Sequence, residues 1–251
     1  MGHPDVRDRK ETELITIHHA LTKTLIIFDI DGTLVTSDSR DSKAFAESYE
    51  EYFKRDFYSI DWKKYKHVTD HTIFHSVYEE HFGHACSVDQ LDGFQQHYID
   101  KLVANRQADP EHYKEVAGAN TMLDLLHEDD RFVIGIGTGG WKRPQLVKLE
   151  HVGILLDQVY DSYADHKVTR EEILQESIDA ARRDHTIDQV IYLGDAIWDF
   201  HTTQNMNLPL IGVRHEGDTE FFTDLGVEHV ITDFMDVKGF LGMVDSFAQG
   251  L

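Results

Sequence analysis

An α/β fold, a doubly wound parallel sheet of Rossmann-like topology with an inserted α-helical cap domain, is expected from three features of this chain. Short apolar runs recur and stop at a glycine or an acid; stretches long enough for a crossover helix separate them; and one long early segment breaks the alternation. The first run, Leu25-Ile26-Ile27-Phe28, is continuously apolar and ends at Asp29, as a strand buried on both faces should. Further runs predict strands at Phe132–Ile136, Gln158–Tyr160, Val190–Leu193 and Leu210–Val213. Amphipathic spacing predicts helices over Thr121–His127, Leu146–Val152, Glu171–Arg182 and Asp236–Phe247. The stretch 37–110 has helical patterning, many aromatic and His residues and no buried strand, and it is too long for a loop. It is therefore assigned to a helical cap, with 1–36 and 111–251 forming the core. Residues 1–22 form a polar extension with a short helix expected near Leu14–His18.

Composition narrows the function classes. The chain of 251 residues carries 24 Lys and Arg against 46 Asp and Glu, a net charge of −22 that repels nucleic-acid backbones and anionic lipid. No run approaches the roughly 18 apolar residues a membrane helix needs. The single Cys86 excludes an intramolecular disulfide, and the first residues lack the apolar run of a secretory signal, so a cytoplasmic setting is expected. No protein partner is implied. The 17 His are scattered, and neither His18-His19 nor His67 with His71 has a clear third ligand for a zinc site.

Chemistry concentrates at the strand ends. Asp29-Ile30-Asp31-Gly32-Thr33 puts two acids at the carboxyl edge of the first strand, where open α/β sheets bind ligands. Leu193-Gly194-Asp195 followed by Asp199 repeats the pattern on another strand. Four converging carboxylates would raise one another's pKa unless a hard divalent cation with oxygen ligands balanced them, and Mg²⁺ is the expected ion. A third strand end supplies the Thr138 hydroxyl and Gly139-Gly140, backbone able to close around a phosphate. Lys167 offers a cation for anionic substrate oxygens, with Lys148 as the substitute.

In order and spacing these residues resemble the four motifs of the haloacid dehalogenase superfamily of hydrolases, in its phosphatase-like branch with a helical cap between motifs one and two. Leu25–Thr33 looks like the DxDGT motif, Thr138 the second-motif hydroxyl, Lys167 the third-motif base, and Gly194-Asp195-x3-Asp199 the acidic fourth motif. The third departs from many relatives, which carry Lys-Pro where this chain has Lys167-Val168. The resemblance implies Asp29 as nucleophile, Asp31 as acid/base, and Mg²⁺ held by Asp29, Asp195 and the Asp31 carbonyl with Asp199 in support. Thr138, Gly139, Gly140 and Lys167 would bind phosphoryl oxygens. The implied activity is a Mg²⁺-dependent phosphatase hydrolysing a small phosphorylated metabolite through an aspartyl-phosphate.

Two other readings stay open. A sugar-phosphate mutase of the beta-phosphoglucomutase kind keeps both acids, but its cap commonly carries Gly-Val-Ser-Arg, whereas His67-Val68-Thr69-Asp70 has an acid at the Arg position. A non-catalytic relative would bind a phosphorylated ligand without turning it over, though it would gain nothing from the repulsion among its acids. Discrimination among esters is expected from the cap, with His67, Asp70 and His71 as the substrate-binding candidates.

Overall fold

The computed structural model describes residues 23–36, 39–111, 113–215 and 217–248; the expected helix near Leu14–His18 lies outside them. Six strands, β1 (Lys23–Phe28), β2 (Phe132–Gly137), β3 (Tyr160–Ser162), β4 (Ile187–Gly194), β5 (Leu210–Val213) and β6 (His229–Ile231), form one sheet ordered β3-β2-β1-β4-β5-β6. All neighbours pair in parallel. The order reverses beside β1, which places the carboxyl ends of β1, β2 and β4 around a topological switch point.

Period-two alternation within fully buried strands assigns each side chain to a layer. Leu25 and Ile27 pack with Val133, Val190, Leu174 and Ile178 on one face. Ile26 and Phe28 pack with Ile134, Ile191, Met122 and Phe240 on the other. Covering the sheet are α4 (Ala119–Glu128), α5 (Lys142–His151), α6 (Arg170–Asp184), α7 (Ile197–Met206), the short α8 (Glu220–Thr223) and α9 (Val237–Ala248). The helix α6 begins where a capping box dictates: the Thr169 side chain accepts from Glu172 N while Glu172 accepts from the Thr169 N–H.

Between β1 and β2 the chain leaves the sheet to form α1 (Ser39–Phe53), α2 (Asp70–Phe82) and α3 (Val88–Ala108), with a short 3₁₀ turn at Trp62–Lys64. Outgoing and returning segments run side by side, bridged antiparallel at Val35 and Glu115. The three helices share an aromatic core: Phe94 stacks on Phe74 with centroids 4.9 Å apart and meets Phe45 edge-on at 5.5 Å. That core continues into the sheet domain through Trp141, which stacks on Phe45 at 5.8 Å.

Three elements differ from the sequence expectation. The third strand begins at Tyr160, because Gln158 adopts φ 50, which no strand residue can hold. The helix α7 was hidden by its strand-end acids, and β6 by its three-residue length. Among the described residues no helix is long and apolar enough to cross a membrane.

Candidate active site

The carboxyl ends of β1, β2 and β4 open into a cavity of about 240 Å³, closed from above by residues of α1 and α2. Asp29 leaves β1 almost fully buried. Its Oδ1 accepts the Ile30 N–H at 2.7 Å and its Oδ2 accepts from Arg170 Nη1 at 3.0 Å. The chain can turn immediately after it because Gly32 sits at φ +75, and a Cβ there would strike the Asp195 carboxylate at 2.1 Å.

Asp195 and Asp199 stand at and beyond the end of β4. Asp199 Oδ2 accepts from the N–H groups of Asp195 and Ala196 at 3.1 and 3.0 Å, fixing the start of α7. Carboxylate oxygens of Asp29, Asp195 and Asp199 all lie within 4.8 Å of one another. Burial, then the charges of Asp199 and Asp29, push the Asp195 pKa well above the ordinary carboxylate value. Asp199 is raised to about 6, first by burial, although Arg170 opposes the shift. Such a crowded set of oxygen donors fits a hard divalent cation, whose charge would relieve both effects.

Two buried cations serve this edge. Arg170 Nη1 bridges Asp29 Oδ2 at 3.0 Å and Asp199 Oδ1 at 2.7 Å, while its Nε donates to the cap carbonyl of Val68 at 3.2 Å. Lys148 Nζ, 2% exposed, donates to both Asp31 oxygens at 2.9 and 2.8 Å and also to Asp41 Oδ2 on α1. Burial alone would lower the Lys148 pKa, but the charges of Asp31 and Asp41 outweigh it and hold the ammonium well above its ordinary value. Gln145 Nε2 completes the shell around Asp31 at 2.6 Å. The Asp31 carboxylate is thereby drawn away from the cluster of Asp29, Asp195 and Asp199, leaving only its backbone carbonyl for the cation role expected of it.

The remaining sequence candidates divide. Thr138, Gly139 and Gly140 line the cavity, and Gly140 N donates to Thr138 Oγ1 at 3.4 Å. A Cβ on Gly139 would meet Arg170 Nη2 at 2.6 Å and the Val68 carbonyl at 2.9 Å, so this turn must be bare where cap and cation converge. Asp70 also lines it: its N–H donates to Gly139 O at 2.8 Å and its Oδ2 accepts from Trp141 N at 3.0 Å, joining α2 to the strand-end turn at both ends. Burial raises its pKa to about 7. The side chain that caps α2 is that of Thr69, which accepts from Thr72 N.

Three candidates lie elsewhere. Lys167 pairs with Glu176 at 2.7 Å and does not line the cavity, because the chain turns through His166 at φ 61 and sends this side chain along α6. His67 faces the neighbouring groove. His71 packs on His75, with ring centroids 4.4 Å apart, and near His166 at 6.2 Å. Arg170 was absent from the sequence candidates. The signal that could have found it is the Thr169-x-x-Glu172 capping box, which starts a helix at residue 170 and so holds that residue at the sheet edge.

A hydrolase from Pseudomonas syringae shares this fold with TM-score 0.64 and 18% identity over 88% of this chain and 99% of its own. A predicted phosphatase from Clostridium acetobutylicum aligns with TM-score 0.57 and 20% identity over 88% and 99%. A hydrolase from Deinococcus radiodurans R1 with bound phosphate and sodium aligns with TM-score 0.50 and 16% identity over 89% and 96%. No curated protein matches the chain by sequence. The sequence pattern of the haloacid dehalogenase-like hydrolases matches residues 26–213, from the middle of β1 to the end of β5, and with the strand-end acids inside that span the chain belongs to this family.

Proposed function

We propose that the chain is a Mg²⁺-dependent phosphatase that hydrolyses a small phosphomonoester through an aspartyl-phosphate on Asp29. The observation that carries this reading is the meeting, at one sheet edge, of Asp29, Asp195 and Asp199 within 4.8 Å, with Arg170 on Asp29 and a second acid two residues along. In the first step Asp29 forms a bond to phosphorus as the ester P–O bond breaks, and Asp31 gives its proton to the departing oxygen. In the second, Asp31 takes a proton from water as that water attacks the phosphorus, and the P–O bond to Asp29 breaks. Lys148 and Gln145 orient Asp31 for both transfers. Arg170, the Thr138 hydroxyl and the turn that follows it hold the phosphoryl oxygens where charge builds. Asp29, Asp195 and the Asp31 carbonyl, with Asp199 in support, would hold Mg²⁺, which would supply the neutralisation of phosphoryl charge that an anionic nucleophile needs to approach.

The small cavity supports a compact phosphoryl group with a few attached atoms, and the helices above it would exclude polymers. Asp70, which stands where the mutase motif carries Arg, offers no cation for a second phosphate, which supports the phosphatase over the mutase. The free Cys86 fits a reducing, cytoplasmic setting. The test is phosphate release from p-nitrophenyl phosphate. Wild type should require Mg²⁺ and stop on chelation with EDTA, and Asp29→Asn should lose at least about 10⁴-fold in kcat while keeping its circular dichroism spectrum. Turnover by Asp29→Asn at the wild-type rate would remove the mechanism.

A further inference from the structure

Beside the cavity lies a larger groove of about 670 Å³, between the cap loop that precedes α2 and the first turns of α6 and α7. Val68, Arg170 and Trp198 line both spaces, so the groove adjoins the cavity across these three residues. The groove differs from its surroundings in charge. In a chain of net charge −22, its lining includes Lys63, Lys66, His67 and His201. Its one acid, Glu171, is tied to Asn205 Nδ2 at 2.8 Å. Lys63 and Lys66 are exposed, and neither makes an ion pair among the described residues. Most other lysines at the cap–core boundary are neutralised: Lys148 by Asp31 and Asp41, Lys167 by Glu176, Lys142 by Asp161. Two uncommitted ammonium groups in a groove that adjoins a phosphoryl site attract an anion, and an otherwise acidic surface makes that attraction local.

We propose that this groove is the leaving-group subsite and that it selects phosphomonoesters whose leaving group carries a second anionic group, held by Lys63 and Lys66 while the intervening atoms pack on Trp198. The proposal rests on the phosphatase reading for its substrate and on the groove for its selectivity. It places the second anion away from the turn where Asp70 meets Gly139, on the opposite side of Arg170's contact with Val68.

The experiment compares three esters of matched length: 3-hydroxypropyl phosphate, its carboxylate counterpart 3-phosphooxypropanoate, and propane-1,3-diyl bisphosphate. With wild type, kcat/KM for the two esters whose leaving group carries a second anion should exceed that for 3-hydroxypropyl phosphate by about tenfold or more, as two partly exposed ion pairs allow. Lys63→Ala/Lys66→Ala should bring the ratio to about one while p-nitrophenyl phosphate hydrolysis stays within about twofold. The ranking of carboxylate and phosphate identifies the anion. A ratio near one in wild type, or a ratio that survives the double substitution, overturns the proposal. Calorimetric binding of the bisphosphate and of 3-hydroxypropyl phosphate to Asp29→Asn separates this from the phosphatase reading. Tighter bisphosphate binding that vanishes with the two lysines, in a protein whose wild type releases no phosphate from any ester, would leave the subsite standing and remove the phosphatase. Equal binding of the two removes the subsite whatever the turnover.

Discussion

Two buried cations hold the acids of this site, and they are held differently. Arg170 takes both its carboxylates from the core, Asp29 at the end of β1 and Asp199 in the first turn of α7, and among the described residues its hydrogen bond to the cap is to the Val68 carbonyl. Lys148 takes one carboxylate, Asp31, from the sheet edge and the other, Asp41, from the cap helix α1, where Tyr98 and Tyr113 also donate to Asp41 at 3.4 and 3.1 Å. Lifting the cap would leave the charge balance around Asp29 almost unchanged but would strip Lys148 of one partner. The proposed nucleophile Asp29 is thus held by core residues, and the proposed acid/base Asp31 keeps its full set of partners only when the cap is seated, which ties its environment to substrate enclosure.

The largest effect expected from breaking this comparison is at Arg170. Arg170→Met leaves Asp29 and Asp199 without their shared cation and removes a donor to the phosphoryl oxygens, so kcat on p-nitrophenyl phosphate should fall about 10²–10³-fold at saturating Mg²⁺. Arg170→Lys, which keeps charge but has no second nitrogen to donate to the Val68 carbonyl while the first holds both carboxylates, should recover only part of this. Equal kcat values for wild type and Arg170→Met would show that the core pair is structural.

Lys148 sharpens the contrast through stability. Lys148→Met buries two carboxylates without a cation and should destabilise the chain by about 3 kcal/mol in urea unfolding. Adding Asp41→Asn removes one of the stranded charges and should restore part of the loss, so the two substitutions will be far from additive. If the double variant loses the sum of the single losses, the cap–core bridge carries no coupling.

How much of this was legible follows from where each residue sits. The acids at 29, 31, 195 and 199 announce themselves because a buried parallel strand has a readable apolar run and its next residues must lie at the ligand-binding edge. Arg170 did not, because it falls just outside the amphipathic run Glu171–Arg182, three residues beyond the expected lysine. Lys148 was half legible. Gln145, Lys148 and Leu149 recur at the three- and four-residue spacing of one buried helix face, and a lysine on such a face needs carboxylate partners. What the sequence withheld is the partner from α1, since nothing local couples residues 107 positions apart. The same holds for the cap candidates. Asp70 reaches the cavity while His67 and His71, three and one residues away, face elsewhere, because His67 lies in the loop before α2 and His71 is turned about 100° from Asp70 around the helix.

A smaller effect belongs to the cap–core seam at His71. Burial, then the neighbouring His75 and His166, lower its pKa to about 4 from an ordinary 6.5, and its Nδ1 is buried without a partner. The folded state therefore favours the neutral ring. Its contribution is complete above about pH 6.5 and is lost as pH falls toward about 4, when protonation would set cations against one another between α2 and the loop after β3. Between pH 7 and pH 4.5 the thermal midpoint of wild type should fall further than that of His71→Gln, by about 2–4 °C. Parallel curves would place the acid sensitivity elsewhere.

The smallest effect is expected at the lysine the motif spacing favoured. Lys167 is paired with Glu176 near the surface, 20% exposed against 54%, and surface ion pairs contribute about 0–1 kcal/mol. Glu176 also accepts from Ser162 Oγ at 2.5 Å, so the carboxylate keeps a partner when the lysine is removed. Lys167→Ala should therefore leave kcat within about threefold and the unfolding free energy within about 1 kcal/mol of wild type, against the large losses at Arg170 and Lys148. Turnover ranks Lys167 against Arg170, and urea unfolding ranks it against Lys148. A severe loss of kcat at Lys167 with little at Arg170 would mean that, with substrate bound, the loop after β3 turns to bring the lysine in, and that the Arg170 bridge to Asp29 belongs to the substrate-free enzyme.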